Sequence, residues 1–328
     1  MSLVIIEAEN LKGEKRKYEF EEDVEKIVIV YNELKSIELS PLEKCKKLKH
    51  LMLSTNHYTE LDLYPLRKCT NLKELYIDNN KLKSVDLSPL KSCKKLMELC
   101  LDFNKFTSID LYPLKECSNL ERINLEYNEL LPTDLTPLES CLELNWFSIS
   151  GNKLQRIDLS PFRKSSKLRN LYLENDHLSS IDLEPIRECT NLEELWLADN
   201  KFESINLKPL EHLENLRWFS LRGNKLKTID LSPIKNWKNL RNLYLEENKL
   251  ETIDLGPLKK CQELEDFWLT NNNLTEVDIT PLIECENLQE FNLANNPLEK
   301  IIWKNKDIDE KKVPEGLQKY VQDSNHKN

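Results

Sequence analysis

Among the residues of this 328-residue chain, the nine cysteines could take part in the widest range of chemistry, because thiols form disulfides, bind zinc and act as nucleophiles. Eight of them occupy one position of a 24-residue spacing, and the chain has no C-x-x-C pair. Ser165, Leu213 and Trp237 fill the same position elsewhere, a mixture that is typical of a buried side chain rather than of a metal ligand. We therefore expect eight buried thiols: Cys45, Cys69, Cys93, Cys117, Cys141, Cys189, Cys261 and Cys285.

A column of aspartates with the same spacing could hold calcium. A hard cation, however, needs several oxygens converging on one site, and a single row supplies few. A local turn, in which each carboxylate accepts a hydrogen bond from the backbone, is the favoured interpretation. The column contains Asp62, Asp86, Asp110, Asp134, Asp158, Asp182, Asp230, Asp254 and Asp278, with Glu38 and Asn206 as variants.

Little in the chain points to catalysis. The five histidines are scattered, and the five glycines form no phosphate-binding loop. Cys100 lies at an outward strand position, so we expect it to be the exposed, fast-reacting thiol. We predict no catalytic residues, no metal, no cofactor and no enzymatic activity.

Proline 41 recurs ten times at intervals of 24 residues, without insertion or deletion. A fixed period of this length predicts a stack of identical units, each burying its apolar face against its neighbours. Within each unit the apolar residues follow the pattern L-x-x-L-x-L-x-x-N, as in Leu48, Leu51, Leu53 and Asn56. Twelve copies occur.

Alternation in x-L-x-L-x predicts a short strand whose leucines point inward. Twelve such strands would form one parallel sheet. Ser88, Pro89 and Leu90 predict a helix start, with serine as the N-cap and proline at the first helical position. Since about two turns fit before the next strand, we expect short helices or 3₁₀ turns on the outer wall, and hence an α/β solenoid.

This pattern resembles the leucine-rich repeat family over roughly residues 23–302. The resemblance implies a curved horseshoe with a concave parallel sheet, short convex turns and an asparagine ladder, which Asp176 interrupts. The x-D-L-S-P-L-x-x-C-x-x-L stretch is similar to the internalin and phosphatase-regulating types, whose repeats are usually two residues shorter. Both types are binding scaffolds, so the resemblance implies binding rather than catalysis.

The ends of the chain depart from the repeat. Residues 1–22 contain two short apolar segments around a charged turn and predict a hairpin that caps the first repeat. Residues 303–328 predict a C-terminal cap with helical spacing of Val313, Leu317, Tyr320 and Val321, followed by a disordered tail from Asp323. The predicted organisation is cap 1–22, solenoid 23–302, and cap and tail 303–328.

Charge and hydropathy restrict the partners. The chain has 47 basic and 57 acidic residues, a net charge of −10 and no long basic run, which argues against nucleic acid. No apolar stretch approaches 18 residues, and the start does not resemble a secretory signal, so we expect neither a membrane span nor export. Unpaired cysteines favour a reducing, cytoplasmic location.

Aromatic and arginine side chains gather at outward positions of the predicted sheet, and these residue types are enriched at binding hot spots. Aromatics also suit strands for purely structural reasons, which is the competing interpretation. A three-repeat block of 72 residues recurs, because residues 168–186 resemble residues 240–258. The candidate concave-face residues are Tyr76, Trp146, Arg169, Tyr172, Trp196, Arg217, Trp218, Arg222, Arg241, Tyr244 and Trp268.

These observations favour a non-enzymatic scaffold that binds a protein partner on its concave face. Acidic residues interspersed among the aromatics indicate a partner with basic and apolar features. Two alternatives remain: a structural or regulatory protein that assembles through its convex face or ends, and a GTPase activator or hydrolase with an unrecognised site.

Overall fold

A computed structural model describes residues 3–304 and 313–321 of the chain. The chain divides into two compact units, Met1–Leu168 and Arg169–Asn328. They are called the N-terminal and C-terminal units below.

The N-terminal unit contains nine strands, and six of them form a parallel sheet in the order β3-β5-β6-β7-β8-β9. Each residue of a strand pairs with the residue 24 positions later, as Lys26 does with His50. The predicted N-terminal segment is an antiparallel hairpin of β1 and β2, and β1 also pairs with β4. The strands are Leu3–Asn10 (β1), Lys15–Glu21 (β2), Lys26–Val28 (β3), Leu34–Ile37 (β4), His50–Met52 (β5), Glu74–Tyr76 (β6), Glu98–Cys100 (β7), Arg122–Asn124 (β8) and Trp146–Ser148 (β9).

The C-terminal unit contains six further repeat strands in the parallel order β10-β11-β12-β13-β14-β16. Across the described residues this confirms the twelve parallel repeat strands that the sequence predicts. A separate parallel pair, β15 with β17, was not expected. The strands are Asn170–Tyr172 (β10), Glu194–Trp196 (β11), Trp218–Ser220 (β12), Asn242–Tyr244 (β13), Asp266–Trp268 (β14), Glu276–Asp278 (β15), Glu290–Asn292 (β16) and Lys300–Ile302 (β17).

Short 3₁₀ turns follow the repeat strands, as the sequence predicts. Eleven of them have proline as the second residue, one position later than predicted, whereas Glu315–Leu317 near the C-terminus has proline only as its N-cap. The predicted serine N-cap is wrong: the turn that contains Ser88 is capped by Leu87 without a side-chain hydrogen bond. The turns are Ser40–Lys44, Tyr64–Lys68, Ser88–Ser92, Tyr112–Glu116, Thr136–Ser140, Ser160–Lys164, Glu184–Ile186, Lys208–Leu210, Ser232–Asn236, Gly256–Lys260, Thr280–Glu284 and Glu315–Leu317.

The aspartate column stabilises the approach to these turns. The Ser88 backbone N–H donates to Asp86 Oδ1 at 2.8 Å, and the Ser88 hydroxyl donates to Asp86 Oδ2 at 2.8 Å. The same backbone bond recurs at Asp62 and, with an amide oxygen, at Asn206. The local turn interpretation of this column is therefore confirmed.

Apolar side chains from both halves of each repeat fill the core, and the central strand leucines are fully buried. The asparagine column hydrogen-bonds the backbone of neighbouring repeats: the Asn80 amide donates to Leu53 O at 3.2 Å, and its oxygen accepts from Tyr58 N at 3.2 Å. The cysteine column is buried and forms no disulfide, and Cys93 Sγ lies 3.5 Å from Leu66 O. The prediction of eight buried thiols is confirmed.

Residues 313–321 lie against β16 in the C-terminal unit. The Tyr320 ring is 5.3 Å from the Phe291 ring, and the Tyr320 hydroxyl accepts from Leu293 N at 2.9 Å. Gly316 lies so close to the strand that a Cβ would stand 2.9 Å from Phe291 N. Residues 305–312 and the predicted tail from Asp323 lie outside the described residues, and the boundaries of the two caps stay a prediction.

Candidate functional site

The first and third residues of each three-residue repeat strand point away from the core and, with the residues that flank each strand, form a surface that we call the sheet face. Pairing is in register, so equivalent positions on successive strands lie side by side, about 4.8 Å apart. Large side chains on adjacent or alternate strands are therefore within contact distance of one another.

Three aromatic rings form a continuous strip on the sheet face of the C-terminal unit. The Trp196 and Tyr244 ring centroids are 5.9 Å apart, and those of Tyr244 and Trp268 are 5.2 Å apart. Trp196 and Tyr244 are not on adjacent strands; Ser220 lies between them in the pairing register and is 1% exposed. Its small side chain leaves room for the two rings to meet.

The sequence predicts solvent-exposed aromatics at these positions, and the structure shows them only partly exposed. Tyr172, Trp196, Trp218, Tyr244 and Trp268 are all half-buried. They lie on the sheet face as expected, but neighbouring side chains cover part of each ring because the strands are closely spaced.

Carboxylate and amide side chains form hydrogen bonds with the hydroxyl and indole N–H groups of these aromatic residues. The Tyr172 hydroxyl donates to Glu194 Oε2 at 2.7 Å, and the Trp196 indole N–H donates to the same oxygen at 3.2 Å. Three strands further on, Asn242 Nδ2 donates to the Tyr244 hydroxyl at 3.0 Å. Polar contacts within a strand and between adjacent strands therefore restrict the orientations of these rings.

The Asn242 amide also donates to Asp266 Oδ2 at 2.6 Å. Aspartate is one methylene shorter than the equivalent Glu194, and the indole N–H of Trp268 is buried without an acceptor in the described structure. An unsatisfied buried donor is unfavourable for stability.

The predicted arginines flank the rings, and each has an acidic neighbour. Arg169 Nη1 is 3.3 Å from Glu193 Oε1, and Arg217 Nη1 is 3.7 Å from Glu193 Oε2. The equivalent pair three repeats later has the same form, with Arg241 Nη1 3.2 Å from Glu265 Oε1. These cations therefore have much of their charge balanced within the face.

Arg222 pairs with Glu247 at 2.8 Å and lies 3.7 Å from Glu246. Glu246 is 5% exposed. Burial raises the pKa of the Glu246 carboxyl to about 7, and the negative charges of Glu247 and Asp199 also raise it, whereas Arg222 acts in the opposite direction. At neutral pH this carboxyl is therefore part protonated.

Two of the predicted sheet-face residues, Tyr76 and Trp146, belong to the N-terminal unit. The Tyr76 hydroxyl donates to Glu98 Oε2. The Arg122 guanidinium lies 3.7 Å above the Trp146 ring, so that ring already has a cation on one face.

The expectation that Cys100 is an exposed, reactive thiol is wrong. Cys100 is only 6% exposed, because it lies between Tyr76 and Asn124 on the paired strands. Burial raises the pKa of its thiol to about 12, and the neighbouring Asp102 contributes in the same direction. A buried, protonated thiol is a poor nucleophile.

Sequence reasoning missed a pair of aromatics at the edge of the sheet face in the N-terminal unit. Phe103 and Tyr127 are exposed and stack with ring centroids 4.6 Å apart. Both have positive φ, 50° and 47°, a conformation that is uncommon for aromatic residues. The available signal was their identical position in successive repeats, which is occupied elsewhere by Asn79 and Gly151.

The outer wall of the same unit contains a surface cavity of about 490 Å³ between the turns Tyr112–Glu116 and Thr136–Ser140. Tyr112 lines it and is exposed. Under the alternative interpretation, in which the protein assembles through its convex face, this cavity is the candidate contact surface.

Residues 3–304 and 313–321 contain neither a metal-binding group nor a membrane-spanning helix. No group of three or more histidine, cysteine or acidic side chains there is arranged to hold a metal ion. No helix in that part of the chain has the length and apolar character needed to cross a membrane.

Comparison with known proteins places the fold. An internalin (InlF) of Listeria monocytogenes is 24% identical, with a TM-score of 0.68 over 87% of this chain and 88% of that chain. The functional domain of InlJ from the same organism, which includes a cysteine ladder, is 19% identical, with a TM-score of 0.66 over 89% and 66%. The plant peptide hormone receptor RGFR1, solved in complex with RGF2, is 20% identical, with a TM-score of 0.60 over 78% and 45%.

No curated protein matches the chain. The leucine-rich repeat family model matches residues 22–82, 70–130, 166–226, 190–250, 216–274 and 238–298, which together exceed half of the sequence. The matched segments carry the strands, asparagine column and 3₁₀ turns described above. By sequence and by fold, the chain belongs to the leucine-rich repeat family.

Proposed function

We propose that this protein is a non-enzymatic scaffold that binds a protein partner on the sheet face of its C-terminal unit. The observation that carries the proposal is the continuous strip Trp196, Tyr244 and Trp268, with ring centroids 5.9 and 5.2 Å apart. Leucine-rich repeat proteins are generally protein-interaction scaffolds, and RGFR1 in complex with RGF2 is one receptor of this fold with its ligand.

Residue type and rigidity both support binding. Tryptophan, tyrosine and arginine dominate binding energies at protein interfaces. Rings that are already held by hydrogen bonds to Glu194 and Asn242 lose little conformational entropy when a partner docks. A strip that served only to shield the sheet would not need its polar atoms fixed in this way.

Charge defines the class of partner. The face contains Glu194, Asp266 and Glu290 on its strands, and the chain as a whole has a net charge of −10. We propose a partner with basic and apolar features, rather than nucleic acid or a membrane, because opposite charge favours encounter and like charge opposes it.

The proposal includes a reducing, cytoplasmic setting. All nine cysteines lie within the described residues and are buried, and none forms a disulfide. Free thiols persist where the environment is reducing.

The test is partner capture by the full chain and by two matched tyrosine variants. Tyr244→Ala removes the central ring of the strip, whereas Tyr112→Ala removes an exposed ring at the outer-wall cavity. We expect Tyr244→Ala to weaken binding by about 2 kcal/mol or more, roughly 30-fold, and Tyr112→Ala to have little effect. Thermal unfolding of both variants checks that each remains folded.

The opposite result, normal binding by Tyr244→Ala and loss by Tyr112→Ala, would move the interface to the outer wall. Normal binding by both variants, with Trp268→Ala also normal, would exclude the aromatic strip as the contact surface.

A further inference from the structure

The sheet face of the C-terminal unit contains the same cluster twice. Strands β10 and β11 present one copy, and strands β13 and β14 present the other, three repeats later. Each copy has an arginine–glutamate pair of matching length, 3.3 Å in the first and 3.2 Å in the second. The corresponding residues are Arg169 and Arg241, Asn170 and Asn242, Tyr172 and Tyr244, Glu193 and Glu265, Glu194 and Asp266, and Trp196 and Trp268.

Each copy presents a carboxylate that lacks a cationic partner. The arginines pair with Glu193 and Glu265, and no ion pair of the described residues includes Glu194 or Asp266. Burial raises the pKa of Asp266, and the adjacent negative charge of Glu290 raises it further. An incoming cation would relieve this repulsion.

Tryptophan lies beside each carboxylate. Trp196 donates its indole N–H to Glu194 at 3.2 Å, and Trp268 follows Asp266 by two residues on the same face of β14. A guanidinium or ammonium group can contact the ring face and the carboxylate together, which combines a cation–π contact with a charge-assisted hydrogen bond. Lysine or arginine is the side chain that fits both subsites.

The spacing of the two carboxylates defines the conformation of the ligand. Glu194 and Asp266 lie three strands apart, a separation of about 14 Å at the usual strand spacing. An extended chain advances about 3.4 Å per residue, so four residues cover this distance. Side chains separated by an even number of residues in an extended chain also point to the same side.

Apolar surface lies between the two carboxylates. Trp218 is on β12 and Tyr244 on β13, the two strands that separate β11 from β14. A ligand side chain midway between the two cations would therefore meet rings rather than charges. The complementary pattern is basic, any residue, apolar, any residue, basic.

We propose that these two subsites, Glu194 with Trp196 and Asp266 with Trp268, together bind one extended segment of a partner through two basic side chains four residues apart. The inference rests on the proposed function and specifies its ligand. A helical ligand would need about ten residues to cover the same distance, because it rises 1.5 Å per residue. The two conformations are therefore distinguishable by sequence spacing.

The experiment measures binding of synthetic peptides to the full-length protein by isothermal titration calorimetry. The peptides have a threonine and serine background and a central valine. Each contains two arginines, the second of which is two, three, four, five or six positions after the first. One control peptide has a single arginine, and a second replaces both arginines with citrulline, which keeps the shape and removes the charge. A ten-residue separation in a helix-forming background represents the helical ligand.

We expect the four-residue peptide to bind at least about tenfold more tightly than the single-arginine peptide, because the second contact becomes intramolecular. The three- and five-residue peptides should be weaker than the four-residue peptide, and the citrulline peptide weaker still. Trp196→Ala and Trp268→Ala should each reduce the four-residue peptide to single-arginine affinity. Glu194→Gln with Asp266→Asn should remove the preference for arginine over citrulline, whereas Lys259→Ala should change nothing.

Equal affinity across the spacings, tightest binding of the helical peptide, or no binding of any peptide at millimolar concentration would overturn the inference. Any of these peptide results excludes the two-subsite ligand. The proposed function still stands if Tyr244→Ala weakens binding of a captured protein partner. If Tyr244→Ala, Tyr112→Ala and Trp268→Ala all bind the captured partner normally as well, both the two-subsite ligand and the proposed function are excluded.

Discussion

At the scale of single residues, the neighbours on adjacent strands decide whether an outward position is exposed. Cys100, Ser148 and Ser220 all lie at the third position of a strand, where a side chain leaves the core, yet all three are buried. Each is smaller than the side chains around it. Val28, at the same position of the first repeat strand, is exposed.

This comparison predicts slow thiol chemistry at every cysteine, including Cys100. Burial raises the pKa of both Cys100 and Cys93 to about 12, so the thiolate fraction at pH 8 is very small. We expect Cys100 to react with iodoacetamide no faster than Cys93 in the native protein, as followed by mass spectrometry of digested samples. A denatured sample, in which all nine thiols react, is the control. Labelling of Cys100 well ahead of Cys93 in the native protein would contradict the burial of this residue.

At the scale of the element, each repeat is stable only against its neighbours. A three-residue strand and a short 3₁₀ turn have few internal hydrogen bonds, so packing of the inward leucines supplies most of the stabilisation. In β11 the inward residue is Leu195, which is fully buried between the equivalent leucine and phenylalanine of the adjoining strands.

Leu195→Ala should therefore lower the free energy of unfolding by about 2 to 5 kcal/mol, through lost apolar burial and a cavity. Urea denaturation followed by circular dichroism measures the change. Lys201→Ala, an exposed position of the same repeat, should change stability by less than about 0.5 kcal/mol. A Leu195→Ala protein as stable as the Lys201→Ala protein would show that this leucine is not part of the core.

At the scale of the whole molecule, each unit contains an acidic side chain that burial keeps partly neutral. Burial raises the pKa of Asp102 to about 7, with further contributions from Asp78 and Glu126, and Glu246 has a similar value in the C-terminal unit. In the unfolded chain both groups return to their ordinary pKa values near 4. Between about pH 4 and pH 7, these two carboxyls therefore hold protons in the folded protein that they release in the unfolded chain.

The contribution of these two groups to stability should consequently fall as the pH rises from about 4 to 8, because their deprotonation is opposed only in the folded state. The double variant Asp102→Asn and Glu246→Gln removes both titrations. We expect it to unfold with a free energy larger than that of the wild type by on the order of 1 to 3 kcal/mol at pH 8, with little difference at pH 4. Urea denaturation at the two pH values tests this, with the exposed Glu203→Gln as control. A gain of the same size at pH 4, or no gain at pH 8, would show that these carboxyls do not titrate as described.

The sequence alone determined the repeat, the twelve strands, the proline-initiated turns, the aspartate turns and the buried cysteine column. These features depend on residues within one 24-residue period and on the alternation of apolar and polar positions, which are local properties of the chain. It also placed the aromatic residues on the sheet face. The serine N-cap was wrong because the preceding aspartate bonds both the Ser88 backbone N–H and the Ser88 hydroxyl.

Only the tertiary structure decided which side chains of the face touch one another. The contact of Trp196 with Tyr244 spans 48 residues and depends on the small Ser220 between them. The burial of Cys100, the unsatisfied indole N–H of Trp268 and the hydrogen bond from Asn242 to Asp266 depend likewise on side chains from neighbouring repeats. The reason is physical: exposure, hydrogen bonding and charge balance at a site are set by the sizes and lengths of side chains that stacking brings together, and no single repeat contains them.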